Sequence, residues 1–354
     1  YTLQGSLSLP YNLLLIVFLV LFSSSERVLE YVLVICFAWL LQFAMTIPCI
    51  VREKFRLIPG LHFRDPDLRL FARTTVVTVF TTSIFLLCYL ADSNTVSAFG
   101  SGAVSAVYYA DKLFTPVATT LIYSISVVLF PKYNLTYSQV NAQEYKRYVG
   151  GTVENTLFVI LPFSALFSAF AVPIIHVLFE SGNFNTVSTQ MTSSVFAMYA
   201  LGMAGFCVLD LINKAYYTMH KTLTPLLINA VVLALNIALN LVFRSGQSCG
   251  LIARTTAVSL TVGGVIALVC FFRDTRGSLR TGKLLKNLAA AVLTGAAMWG
   301  CETLLYRPGL SKLLTLLEFC ALGLAGIGLY AGICWLLRER EALRMIVLKF
   351  RKRA

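Results

Sequence analysis

Charge is scarce in this chain. Asp, Glu, Lys and Arg together make up 13% of 354 residues, about half the share usual in soluble domains, which is too little to cover a soluble globule of this length. Acidic residues number 16 and histidines only three. No cluster of carboxylates stands beside a large polar loop, and no metal-ligand spacing occurs. Acid–base or metal-assisted chemistry on a substrate therefore has no visible home. The nine cysteines are scattered, mostly within apolar runs, and none forms a CxxC. A disulfide framework or a zinc site is excluded as the organising device, and the cysteines read as small apolar packing residues. Residue 1 is Tyr and no charged segment precedes the first apolar run, so there is no sign of a secretory leader. The expectation is that the chain is the later part of something longer.

Apolar sequence is what the chain has in excess. Hydrophobic residues make up 58% and the mean hydropathy is +0.77. About ten apolar runs recur, most of them long enough to cross a ~30 Å hydrocarbon layer as a helix. They cover 8–22, 31–50, 72–91, 103–130, 155–178, 193–213, 224–243, 250–271, 285–304 and 314–337. The fold class expected is all-α: a polytopic membrane bundle of about ten helices.

A net charge of +13 is a common mark of nucleic-acid binding, but its placement here points to lipid. Lys and Arg concentrate in alternate connections: 52–73, 132–147, 214–221, 273–286 and the tail from Arg338 to Arg353. The connections between them hold few. That asymmetry follows the positive-inside rule and places the C-terminus in the cytoplasm, with the 92–99 and 180–190 loops outside. The basic tail then lies against anionic lipid.

The strongly basic stretch 51–71 is taken as a boundary between lobes. Residues 1–50 hold the last two spans of an incomplete first lobe, and 72–271 a six-span second lobe. Residues 272–337 form a basic linker and a terminal helix pair, and 338–354 a cytoplasmic tail. Two helix starts are expected. One lies at Asp65-Pro66, and the other has Thr224 as cap with Pro225 as first residue.

One stretch breaks the apolar rule. "YYADKLFTP", residues 108–116, puts an aspartate, a lysine and a proline inside a run otherwise suited to lipid. A charge at the centre of a membrane helix costs about 2.5–3.5 kcal/mol on insertion scales and persists where it faces a polar cavity or finds a partner. Tyr108 and Lys112 are four apart and share a helix face, whereas Asp111 points about 100° away. Pro116 has no N–H for the Lys112 carbonyl, so a kink with an open carbonyl is expected. These residues suit a ligand-facing cavity. They also suit an Asp–Lys pair that joins helices, or a lysine snorkelling to an interface. Asn236 and Asn240, one turn apart on the 224–243 run, are candidate cation ligands. Run 72–91 offers no carboxylate to complete such a site, so interhelical hydrogen bonding is the competing reading. Asp210 and Lys214 read as a local ion pair, His176 as a packed or interfacial histidine, and Glu302 as snorkelling.

The same stretch, extended to "YYADKLFTPVATTLIYSISVVLFPKYN", resembles the MviN/MurJ family of lipid II flippases. In order along the chain, "VLFESGNFNT" (177–186), "AYYTMHKTLTP" (215–225) and "CGLIARTTAVSL" (249–260) resemble further family segments. The likeness covers essentially the whole chain as the last ten of fourteen spans. It implies a transporter of the MOP superfamily, with two six-helix lobes around a central cavity and a terminal pair whose groove takes a lipid tail. The family's cargo is the undecaprenyl-diphosphate-linked peptidoglycan precursor, moved across the cytoplasmic membrane by alternating access; no cofactor is implied. Lys112 stands where the family has a cavity arginine thought to engage the diphosphate, with Asp111 beside it and Tyr108 and Tyr109 alongside. Lysine keeps the charge but loses bidentate phosphate geometry. Lys221 replaces the family's hairpin aspartate, and the cavity arginines of the family's first helices have no counterpart here. The expected partners are the lipid-linked precursor, membrane lipids and other cell-wall synthesis proteins, not nucleic acid. Other readings are a related exporter of lipid-linked polysaccharide, a membrane enzyme of lipid-linked sugar metabolism, and a non-transporting scaffold for cell-wall assembly.

Overall fold

The computed structural model describes residues 8–22, 27–52, 66–139, 141–273, 279–305 and 311–337. Asp65 and the basic tail lie outside them. The described residues form helices throughout, with one isolated bridge between Ser181 and Phe184. Two compact units divide between Arg69 and Leu70.

The first unit contains α1 (Ser8–Phe22), α2 (Val28–Ala44) and the short α3 (Ile47–Arg52). Aromatic contacts hold α1 to α2: Tyr11 meets Trp39 with ring centroids 5.4 Å apart, and Phe18 meets Tyr31 at 6.1 Å. Arg27 and Glu30 form an exposed pair at 3.4 Å at the start of α2.

Helix α4 (Pro66–Thr82) has its first turn in the first unit and the rest in the second, where α5 (Ile84–Val96) follows. These are one apolar stretch bent by 55° at Ser83. There follow α6 (Ala103–Gln139), α7 (Ala142–Ala169), α8 (Ala171–Phe179) and α9 (Thr186–Thr218). The unit ends with α10 (Leu223–Phe243), α11 (Cys249–Phe272), α12 (Thr281–Leu305) and α13 (Lys312–Leu336). Six of these helices, α7 and α9 to α13, are long and apolar enough to cross a membrane, and the bent α4–α5 pair makes a seventh. Run 103–130 falls inside α6, and α1 and α2 are shorter apolar helices. All ten apolar runs are therefore helical.

Boundaries differ from the expected ones for identifiable reasons. Helix α7 starts well before residue 155 because Asn141 caps it, accepting from the amides of Gln143 and Glu144 at 3.1 and 2.9 Å. Its polar first turn reads as a connection in sequence. The same run then breaks at Phe170 and continues as α8. Helix α10 starts at Leu223, so Pro225 occupies its third position and Thr224 is no cap. A proline is still tolerated there, because amides of the first turn lack helical partners in any case. Helix α6 runs without interruption through Pro116, and the bend of this unit falls at Ser83 instead.

The core of the second unit is built on α9. A Cβ on Gly205 would lie 2.7 Å from backbone atoms of Leu260 and Thr261, and one on Gly264 would lie 3.1 Å from the Gly205 carbonyl. Glycine on both helices lets the α9 and α11 backbones touch, the usual route to tight packing where lipid removes the hydrophobic drive between helices. Hydrogen bonds from Ser164 to the Ala200 carbonyl (2.6 Å) and from Tyr145 to the Ala215 carbonyl (3.0 Å) tie α7 to α9. Phe85, Phe114, Tyr199 and Phe206 stack where α5, α6 and α9 meet.

The terminal helices are held by polar contacts as well. Glu154 of α7, 4% exposed, accepts the backbone amide of Arg280 at 2.7 Å and meets the Lys283 ammonium at 3.7 Å. Lys286 donates to the Leu337 carbonyl at the end of α13. Glu302 does not snorkel: it is 7% exposed on the buried face of α12.

Candidate functional site

The structure separates the residues singled out in the sequence into two places on the second unit. Tyr108, Tyr109, Asp111 and Lys112 lie in the first third of α6. Tyr108 and Lys112 do share a face, and that face is open: Tyr108 is 46% exposed and Lys112 is also exposed. The Lys112 ammonium sits 5.2 Å from the centroid of the Tyr108 ring, a cation–π contact. Asp111 does not pair with Lys112. It turns along the helix and accepts the Thr115 hydroxyl at 2.7 Å. Tyr109 is braced between Phe179 and Phe184, with ring centroids 5.2 and 5.4 Å away. The cation is therefore presented on an aromatic shelf, and no carboxylate pairs with it among the described residues.

The second place is enclosed. Asn236 and Asn240 of α10 both donate to one carboxylate oxygen of Asp92, at 3.2 and 2.9 Å. Tyr199 of α9 (3.0 Å) and Thr256 of α11 (2.7 Å) donate to its other oxygen. Asp92 is 0% exposed and Asn236 and Asn240 nearly so. Four donors from three helices match the four lone-pair positions of a carboxylate. Thr255 links the two amides: it hydrogen-bonds Asn240, and Asn236 reaches it at 3.3 Å. The side-chain carbonyl of Asn236 is buried without a partner. No Lys, Arg or His pairs with Asp92 among the described residues.

The carboxylate missing from run 72–91 is thus Asp92, one position past its end. Helix α5 continues to Val96 and carries Asp92 inward, and the 55° bend at Ser83 aims that half of the stretch at α9, α10 and α11. Only its place next to the apolar run pointed to it. Tyr199, Thr255 and Thr256 gave no signal, since hydroxyls within apolar helices usually return to their own backbone. Asp210 and Lys214 form the expected pair at 2.7 Å. His176 contacts Glu180 at 3.0 Å, and Glu180 also accepts the Thr189 hydroxyl at 2.5 Å.

An all-helical bundle with this apolar surface, an open cation on one helix and an enclosed carboxylate at its core is a polytopic membrane protein. The chain belongs to the family described as "Lipid II flippase MurJ", whose model matches residues 8–319. It is 27% identical over 233 residues to the "Probable lipid II flippase MurJ" of Buchnera aphidicola, covering 65% of this chain and 45% of that protein. It is 24% identical over 310 residues to the protein of the same description in Vibrio cholerae, covering 85% of this chain and 58% of that one. The chain spans about half the length of the curated relatives it matches. Its fold is similar to that of a solved "Lipid II flippase MurJ, inward closed conformation", with a TM-score of 0.70 at 20% identity over 91% of this chain and 66% of that one.

Proposed function

We propose that this chain belongs to a flippase that carries lipid II, the lipid-linked peptidoglycan precursor, across the cytoplasmic membrane by alternating access. It acts as a transporter rather than an enzyme. The observation that carries this reading is the unneutralised Lys112 ammonium on an open face of α6. A cation at the edge of a low-dielectric region attracts a diphosphate far more strongly than it would in water. A lysine holds it as a point charge, so the grip releases without breaking a bidentate pair. Tyr108 fixes the ammonium, and Tyr109 forms the adjoining wall. Residues 1–50 belong to one lobe and 72–271 to the other; the pair in 272–337 lines the groove for the lipid tail, and the C-terminus is cytoplasmic. In cells depleted of their own flippase, the gene encoding this chain in full restores growth. Lys112→Arg retains that ability and Lys112→Ala loses it; growth of the alanine variant at normal expression would overturn the assignment.

Asp92, Asn236 and Asn240 hold a cation that stabilises the second lobe. Oxygen ligands suit a hard alkali or alkaline-earth ion: the unpartnered Asn236 carbonyl supplies one, and Asp92 supplies another by exchanging the amide donors of Asn236 and Asn240 for the ion. The buried carboxylate gains the countercharge it otherwise lacks. In lipid nanodiscs, replacing choline chloride by sodium or calcium chloride at fixed ionic strength raises the melting temperature. Asp92→Asn removes that increment, and an equal increment in the variant would rule the cation out.

A further inference from the structure

A cavity of 360 Å³ lies where the start of α6 approaches the start of α9. Its polar lining comes from Ser101, Ser105 and Tyr109 on one side and Asn185, Ser188 and Thr192 on the other. The size falls within the range of small-molecule sites, but the chemistry is unusual for an apolar bundle. No lining residue is charged, and the hydroxyl and amide groups share the wall with Ala106, Phe184, Val187 and Met191.

Two features set this cavity apart from a packing defect. The Thr192 side chain at its base is 0% exposed, and its hydroxyl has no hydrogen-bond partner. A buried hydroxyl without a partner costs free energy that a polar ligand or water recovers. Gly102, which lines the cavity, adopts a φ of 87° with open space around it. In that left-handed region glycine is the residue without a steric penalty, and here it keeps the mouth wide. Asn185 already caps α9 by accepting the Ser188 amide at 3.1 Å, so the α9 terminus is partly satisfied without an anion.

We propose that this cavity is the carbohydrate subsite of the cargo whose diphosphate engages Lys112, an inference that rests on the transport reading above. Hydroxyls and amides both donate and accept, as sugar hydroxyls and acetamido groups do. A fully ionised phosphate finds no cation among the lining residues. The spacing fits: Ser105, Tyr109 and Lys112 follow one another up α6, and seven residues of helix rise about 10 Å. A head group anchored by its diphosphate at Lys112 places its sugar one to two turns toward the start of α6. Tyr109 lines the cavity and stands between the two anchors.

The test is saturation-transfer NMR with methyl N-acetyl-β-glucosaminide on the full protein in phospholipid nanodiscs free of glycolipid. The wild type transfers saturation to the sugar. Ser105→Leu, which fills the cavity from an exposed position, abolishes transfer with an unchanged melting temperature; if that variant melts early, Ser101→Leu at the rim replaces it. Lys112→Ala still transfers saturation, so a failure of the diphosphate assignment does not mask a working sugar site. Absence of transfer in the wild type overturns the proposal, as does full transfer in a stable Ser105→Leu or Ser101→Leu protein. Displacement of the sugar by millimolar inorganic phosphate also overturns it, by making the cavity an anion site.

Discussion

Lys112 and Asp92 are both ionisable residues in one apolar helical unit, and the protein treats them in opposite ways. Asp92 is enclosed, with both oxygens saturated by side chains from three other helices. Lys112 is left exposed, with the Tyr108 ring against it. The contrast separates two uses of charge in a membrane protein. A charge met from all sides by fixed donors organises the fold, because every donor loses its acceptor if the charge is removed. A charge met on one side keeps capacity for something that arrives and leaves.

The sharpest way to break the comparison is Asp92→Leu. It takes the acceptor from Tyr199, Asn240 and Thr256 together, at about 1–3 kcal/mol for each buried group left unsatisfied, while Asn236 keeps Thr255 and Thr256. The expected result is a several-kcal/mol loss, seen as a steep fall in the yield of folded protein on size-exclusion chromatography in detergent. A monodisperse, thermally normal variant would mean that the network is ornamental. Gly205→Ala comes next. Its methyl meets Leu260 and Thr261 backbone that cannot rotate away, forcing apart α9 and α11, which carry Tyr199 and Thr256. Overpacking of this kind costs about 1–3 kcal/mol and is read as a lower melting temperature. The smallest effect is expected at the open site. Lys112→Ala changes stability by no more than about 0.5 kcal/mol, as surface substitutions usually do, while abolishing transport. If the alanine variant also melts early, Lys112 belongs with Asp92 as a structural charge and the contrast fails.

Much of the fold is legible in the sequence because the bilayer imposes one strong rule: about twenty apolar residues per crossing. The runs found on that rule are all helical. What it misses are the helix ends, where polar residues enter the helix: Asn141 opens α7 through a first turn that looks like a loop, and Asp92 rides on α5 past the end of its run. The open half of the candidate site follows from local spacing, since Tyr108 and Lys112 four apart must share a face. The enclosed half does not, because the partners of Asp92 come from Tyr199, Asn236, Asn240 and Thr256, more than a hundred residues away. Only the packing of α9 and α11 through their glycines brings them together.

The Glu154 contact has a mechanical consequence. Its carboxylate holds the Arg280 amide and lies against Lys283, so the root of α12 cannot swing from α7 without stranding opposite charges in an apolar setting. Under the transport reading proposed above, the root of α12 travels with α7 as a passenger instead of hinging by itself.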